Sequence, residues 1–268
     1  MTDFASLSQS ARATLEAAMR AAGATIERLK AEGVEARDKA DRSPVTIADE
    51  AAETILAAAV RAVEPQALII GEEAAAAGHL PPPSGRFWLI DPLDGTRDFL
   101  GGREGYTVNL GLVVDGNPVF GLVLHPPSGR LWTGSSSLGA ERVEANGTRT
   151  PIAARALPQA PALVVSHSHL DDRTAAWADA VPGATRTSAG SSIKFCLLAE
   201  GTADAYPRYG PTMEWDTAAA DAVLRAAGGA TFDEGGQPFR YGKPGYRNAP
   251  FLAVGDPGAV ALLPRFGG

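Results

Sequence analysis

The stretch Phe87-Trp88-Leu89-Ile90-Asp91-Pro92-Leu93-Asp94-Gly95-Thr96 runs four apolar residues straight into two carboxylates, a proline, a glycine and a threonine. The apolar run has the length and the aromatic and β-branched content of a buried strand. Pro92 has no N–H to give a central ladder, so the strand is expected to stop near Asp91. Asp91 and Asp94 then leave it close together. At about 4 Å and an effective dielectric of roughly 20, two such charges repel by about 4 kcal/mol. A hard cation such as Mg²⁺ answers that repulsion, because it takes oxygen ligands and keeps waters. Gly95-Thr96 offers backbone N–H groups next door, which suit a phosphate. Read alone, the first Asp and the D-G pair are a turn after a strand. The ten residues together favour phosphate-ester chemistry.

Upstream, residues 8–31 read as an amphipathic helix, with Ala11, Leu15, Met19, Ala22, Ile26 and Leu29 at three- and four-residue steps and Gly33 as its stop. Residues 37–43 are charged and aperiodic, and read as a loop. A second helix is expected to end about Val63, with Ala48, Ala52, Ile55, Ala59 and Val63 on its buried face. Thr46 followed by Asp49 resembles a capping box, which is one role for Asp49. Residues 67–70 form a short buried strand that exits into Glu72-Glu73, repeating the theme of acids at a strand end. Residues 74–85, with three prolines, read as a surface loop. Downstream, residues 106–114 and 118–124 read as a hairpin around Asp115-Gly116-Asn117, and further turns follow at Ser128-Gly129 and Asn146-Gly147. The first half is therefore expected to be two helices on a mostly antiparallel sheet.

A boundary falls at residue 157, dividing an N-terminal α+β subdomain (1–157) from a C-terminal α/β subdomain (158–268). Beyond it the pattern alternates: strands at 162–166, 203–206, 230–232 and 251–254, helices at 171–180, 191–200 and 216–227. Such alternation argues for helices on both faces of a sheet. The alanine-rich run after Trp215-Asp216 stops at Gly228-Gly229, and Asp216 stands where an N-cap would.

The totals narrow the class. The chain has 268 residues, 45% apolar and 21% charged, which is ordinary for one large or two small globular domains. A net charge of −7 disfavours a broad nucleic-acid or anionic-membrane surface. One cysteine allows no internal disulfide. There is no signal-peptide pattern and no apolar run of membrane-spanning length, so a cytoplasmic location is expected.

Three separated signatures, Gly71-Glu72-Glu73, Trp88 through Thr96, and Trp215-Asp216 with its Ala-rich helix, resemble those of the magnesium-dependent, lithium-sensitive phosphatases of the inositol monophosphatase superfamily. The resemblance covers nearly the whole chain. It implies an α+β or α/β fold, a layered αβαβα sandwich of the inositol monophosphatase and fructose-1,6-bisphosphatase type. It also implies two to three Mg²⁺ ions. Glu72, Asp91 and the carbonyl of Leu93 would ligate one; Asp91, Asp94 and Asp216 a second. Gly95 and Thr96 would hold the phosphate by backbone N–H groups. Glu72 and Thr96 would orient the attacking water, with Asp49 polarising Thr96. Homodimers are usual among such relatives.

Within the superfamily, the stretch from Gly190 through Gly201 and Ala203-Asp204-Ala205-Tyr206-Pro207-Arg208-Tyr209-Gly210-Pro211-Thr212 resembles the 3'(2'),5'-bisphosphate nucleotidases, as does Ser166-His167-Ser168-His169. That branch implies an adenine nucleotide substrate, adenosine 3',5'-bisphosphate, with phosphoadenylyl sulfate as a second candidate. A substrate with two phosphates needs cations beyond the metals, and Lys194 and Arg208 supply them. Ser191 would bond that phosphate or the sugar, and His169 the base. Structural roles stand beside these: a solvated helix charge for Lys194, an ion pair for Arg208, a loop for His169, core packing for Cys196. One departure is Ala220, where this branch often has glycine. Activity on inositol phosphate, fructose bisphosphate or histidinol phosphate, or a non-catalytic phosphate sensor, are the alternatives.

Overall fold

The chain is described here from a computed structural model covering residues 7–33, 37–38, 44–166 and 171–267. Helix α1 (Gln9–Glu32) starts where the Ser8 hydroxyl takes the N–H of Ala11 at 3.1 Å, and it ends at Gly33. Strands β1 (Arg37–Asp38) and β2 (Pro44–Val45) form a short antiparallel bridge. The start of the segment expected as a loop is thus paired through its backbone with the two residues that follow that segment, which needs no apolar periodicity; residues 39–43 lie outside the described set. Helix α2 (Ile47–Val63) has the expected capping box at Thr46 and Asp49. Its buried row is Ala48, Ala52, Leu56 and Val60, not the expected set with Ile55, Ala59 and Val63. The unbroken i, i+4 row decides which face turns inward, and it carries Asp49 with it.

Strand β3 (Ile69–Gly71) runs parallel to β4 (Arg86–Asp94), and the short helix α3 (Glu72–Ala76) follows β3 directly. The ladder of β4 does not end at Asp91 as expected. Asp91 faces Asn109 and Asp94 faces Thr107, so β4 carries one extra residue between them. This bulge takes Pro92 out of the ladder, where its missing N–H costs nothing. After α4 (Thr96–Leu100) the sheet continues as β5 (Thr107–Val114), β6 (Asn117–His125), β7 (Arg130–Ser135), β8 (Gly139–Val143) and β9 (Arg149–Ile152), each antiparallel to the last. The β5–β6 turn is the expected one, with Asp115 and Gly116 both at positive φ. Helices α1 and α2 cover one face of this sheet, packing Leu15, Met19, Ile26 and Leu56 on Trp88, Ile90, Leu110 and Leu122.

The second half comprises β10 (Ala162–Ser166), α5 (Asp172–Asp179), β11 (Thr185–Ala189), α6 (Ile193–Ala199), β12 (Ala205–Arg208), α7 (Ala218–Ala226), β13 (Ala230–Asp233) and β14 (Phe251–Val254). Its sheet has the order β11-β10-β12-β14-β13, parallel at one side and antiparallel at the other. Strand β11, Thr-Arg-Thr-Ser-Ala, was not expected: it is an exposed edge with no apolar alternation to reveal it. Val164, Tyr206 and Phe251 face α6 and α7, while Leu163, Ala205 and Leu252 face the Trp177 side of α5. Helices α6 and α7 therefore lie between the sheets, giving the expected αβαβα layers. No helix among the described residues is long and apolar enough to cross a membrane.

The middle layer sits close because three glycines make room. Gly111, Gly121 and Gly134 are paired across β5, β6 and β7. A Cβ on Gly121 would stand 1.9 Å from the carbonyl oxygen of Ala219, and one on Gly134 2.4 Å from Cα of Val223. The small residues of α7 complete the fit, and Ala220 is among them, wholly buried in the core.

Candidate active site

Three segments end at one cavity of about 1030 Å³. Because β3 and β4 are parallel neighbours with Gly71 opposite Ile90, Glu72 emerges beside Asp91. The bulge in β4 then presents Leu93, Asp94, Gly95 and Thr96 at the same mouth. The seating of α7 on the glycine stripe brings Asp216 to the same cavity. Asp216 is not the cap that its position suggested: Thr217 holds that place, and Asp216 Oδ2 accepts the N–H of Met213 at 2.8 Å. A fully buried Glu214 braces the same turn, accepting the N–H groups of Gly242 at 2.7 Å and Lys243 at 2.9 Å.

Asp49 uses both carboxylate oxygens. Oδ2 accepts from the Thr46 N–H at 2.8 Å and the Thr46 hydroxyl at 2.7 Å, and Oδ1 lies 3.2 Å from the Thr96 hydroxyl. The same hydroxyl is 3.1 Å from the Leu93 carbonyl. Glu53, one turn further along α2, escaped the sequence reading. Its carboxylate accepts the N–H groups of Glu73 and Ala74 in the first turn of α3, and a Cβ on Gly71 would collide with it at 2.4 Å. The spacing Asp49–Glu53 on one helix face was the available signal.

Gly95 is left-handed, with φ 99°, and a Cβ there would stand 2.5 Å from the Ser191 hydroxyl. That hydroxyl lies 2.7 Å from the carbonyl oxygens of both Asp94 and Gly105. Ser191 thus braces the Asp94–Gly95 turn. Lys194 is not a solvated helix charge: it is 4% exposed, lines the cavity, and donates to the carbonyls of Ser191 at 2.5 Å and Ala189 at 3.3 Å. Arg208, also buried, donates through Nε to the Gly210 carbonyl at 3.1 Å. Cys196 is in the core. His169 lies outside the described residues.

The charges lean on one another. Burial first, then Glu72 and Asp94, push Asp91 well above the usual carboxylate range. Burial and then Asp94 do the same to Asp216. Asp94 is pushed up to about 6 by burial, and Lys194 pulls against that shift. Burial brings the Lys194 ammonium down to about 8, with Asp94 holding it up. Carboxylates crowded this way call for a cation. All the donors are hard oxygens, the kind that Mg²⁺ takes. Among the described residues no three His, Cys, Asp or Glu side chains close on a single point as a finished metal cage. What fits is the donor chemistry.

Residues 6–261 match the family model described as the inositol monophosphatase family. The chain is 41% identical over 204 residues to the 3'(2'),5'-bisphosphate nucleotidase CysQ of Escherichia coli K12, a span covering 76% of this chain and 81% of that one. The fold matches the crystal structure of CysQ from Bacteroides thetaiotaomicron, a bacterial member of the inositol monophosphatase family, with a TM-score of 0.79 and 30% identity over 95% of this chain and 99% of that one. An inositol monophosphatase from Zymomonas mobilis aligns with a TM-score of 0.74 and 26% identity over 92% of each chain. The signatures quoted from the sequence and these likenesses agree, and the chain belongs to the inositol monophosphatase family, on the branch that carries the CysQ proteins.

Proposed function

We propose that the chain is a Mg²⁺-dependent phosphatase that removes the 3'-phosphate of adenosine 3',5'-bisphosphate, and of phosphoadenylyl sulfate. The observation that carries this reading is the pairing, in one cavity, of the Glu72, Asp91, Asp94 and Asp216 carboxylates with buried Lys194 and Arg208. A monophosphate would not need those two cations.

The four carboxylates and the Leu93 carbonyl would hold the ions. When bound, Mg²⁺ supplies the charge that acidifies water and offsets negative charge on the leaving oxygen. The protein's own groups do the rest. Asp49 accepts a hydrogen bond from the Thr96 hydroxyl, which orients a Thr96 lone pair to accept from the attacking water and aim it at phosphorus. Glu72 is the second group to orient that water. The backbone N–H groups of Gly95 and Thr96 hold the phosphoryl oxygens, and Ser191 keeps that turn in place. Lys194 and Arg208 meet the phosphate that is retained.

The test is phosphate release with Mg²⁺ from adenosine 3',5'-bisphosphate beside inositol 1-phosphate, fructose 1,6-bisphosphate and histidinol phosphate. A kcat/KM about a hundredfold higher for the nucleotide, roughly 2.7 kcal/mol of discrimination, is expected. A flat profile would end the nucleotide assignment and leave the metal chemistry standing. Full activity in Asp94→Asn would end the latter.

A further inference from the structure

The chain has five tyrosines. Four of them place the phenol oxygen against a partner: Tyr106 against Lys30 at 3.0 Å, Tyr209 against the Gly267 N–H at 3.3 Å, Tyr241 against Asp221 at 3.0 Å, and Tyr246 against the Pro81 carbonyl at 3.0 Å. Tyr206 is different. It is only 4% exposed, yet among the described residues its hydroxyl takes no hydrogen bond. The oxygen is not among the fully enclosed polar atoms that lack a partner, so it opens on the cavity that the residue lines.

The ring itself is accounted for. It meets Phe195 and Phe251 edge to face at 5.4 Å each, and the Lys194 ammonium stands 5.1 Å from its centroid. A phenylalanine would pack as well. The hydroxyl is what needs a reason. Tyr206 and Arg208 are two residues apart on β12, so both side chains leave the same face of the strand, and both line the cavity. The phenol is within electrostatic reach of Arg208, Asp94 and Asp216. It is protonated at neutral pH, so it is a donor set among groups that receive anions.

We infer that the Tyr206 hydroxyl donates a hydrogen bond to the phosphate that the enzyme retains, beside Arg208 and Lys194, and so helps to set the preference for a substrate with two phosphates. The reacting phosphate belongs with the β4 turn, while Tyr206 shares its strand face with Arg208 and carries Lys194 on its ring. This inference rests on the nucleotidase reading.

Tyr206→Phe removes the hydroxyl and keeps the ring. With adenosine 3',5'-bisphosphate, KM is expected to rise about tenfold or more, the effect of losing a hydrogen bond to a charged group, with kcat within about twofold. With adenosine 3'-monophosphate, which has the same leaving group and no second phosphate, kcat/KM should stay within about twofold of wild type. An equal loss on both substrates, or no loss on either, overturns the inference. If wild-type enzyme leaves adenosine 3',5'-bisphosphate intact, the nucleotidase reading falls instead. Tyr206→Phe is then compared with wild type on fructose 1,6-bisphosphate and inositol 1-phosphate. A loss confined to the bisphosphate keeps the role of the phenol, and an equal change on both removes it.

Discussion

The carboxylate of Glu53 accepts the backbone N–H of Glu73 at 2.8 Å, and its second oxygen accepts that of Ala74 at 2.9 Å. Glu72 is the residue just ahead, so a side chain on α2 fixes where a candidate metal ligand leaves the sheet. Asp49, one turn earlier on the same helix, holds Thr96. One helix face thus sets both walls of the β4 turn. Glu53→Ala should raise the Mg²⁺ concentration for half-maximal phosphate release by about tenfold or more, as loss of a supporting hydrogen bond to a metal site does. Glu53→Gln keeps one acceptor oxygen and should fall between. A Mg²⁺ titration of phosphate release reads this directly, and an unchanged midpoint in Glu53→Ala would show that α3 holds its place without the carboxylate.

Thr96 and Asp49 should behave as one unit. If the Thr96 hydroxyl works only when Asp49 accepts its hydrogen bond, Asp49→Asn and Thr96→Val will each lower kcat by a similar factor, about tenfold to a hundredfold. The double variant should be no slower than the worse single one, because groups in one hydrogen-bond chain do not add. Asp49→Asn also weakens the capping box on α2, at about 1 kcal/mol. Denaturant midpoints measured alongside kcat separate the two effects. Multiplicative losses in kcat would place the residues in different steps.

The row of candidate ligands at the end of β4 could be read because it is local. Phe87 to Thr96 is one continuous stretch, and burial of its apolar run follows from composition. What brings Glu72 to Asp91 was not legible: four apolar residues at 67–70 do not say which strand they pair with, nor that β3 and β4 are parallel. The bulge that carries β4 past Pro92 depends on the partner strand. Strand β11 lacks an apolar face, so no periodicity marks it. Tyr206 was hidden for another reason, since a buried tyrosine reads as core until its hydroxyl is seen without a partner. Register also concealed the glycine stripe, whose members lie ten and thirteen residues apart in sequence and become neighbours only once β5, β6 and β7 are paired.

That stripe makes a prediction about function as well as stability. A methyl on Gly121 would overlap the Ala219 carbonyl oxygen, a backbone atom that cannot swing aside. Gly121→Ala should therefore destabilise the fold by about 2 kcal/mol or more, at the upper end for an overpacked core. Asp216 lies two residues before α7, so a displaced helix moves the carboxylate as well. The variant that remains folded at low temperature should have a raised Mg²⁺ requirement, and urea unfolding paired with a Mg²⁺ titration tests both. A stable variant with unchanged Mg²⁺ dependence would show that α7 is not held by that contact.

Glu64 makes a pH-dependent staple between the end of α2 and the start of β4. Its carboxylate takes Arg86 Nε at 2.9 Å, Arg86 Nη2 at 3.0 Å and the indole N–H of Trp88 at 3.0 Å. The hydrogen bond from Arg86, helped by Trp88, holds the Glu64 pKa below its ordinary 4.5 against the opposing effect of burial. A depressed pKa means that the folded state prefers the ionised form, so the stabilisation is fully present above the unfolded value. It is lost as pH falls through the folded one. Because the pair is partly exposed, solvent screening limits it, and about 1 kcal/mol is a fair size. Glu64→Gln should thus be less stable than wild type by about that much at pH 7. The gap should narrow only below pH 4.5, where wild-type Glu64 takes up its proton. Urea midpoints of both proteins from pH 7 down to pH 3 give the curve. A gap that stays constant across the range would mean that Glu64 contributes by shape and neutral hydrogen bonding rather than by charge.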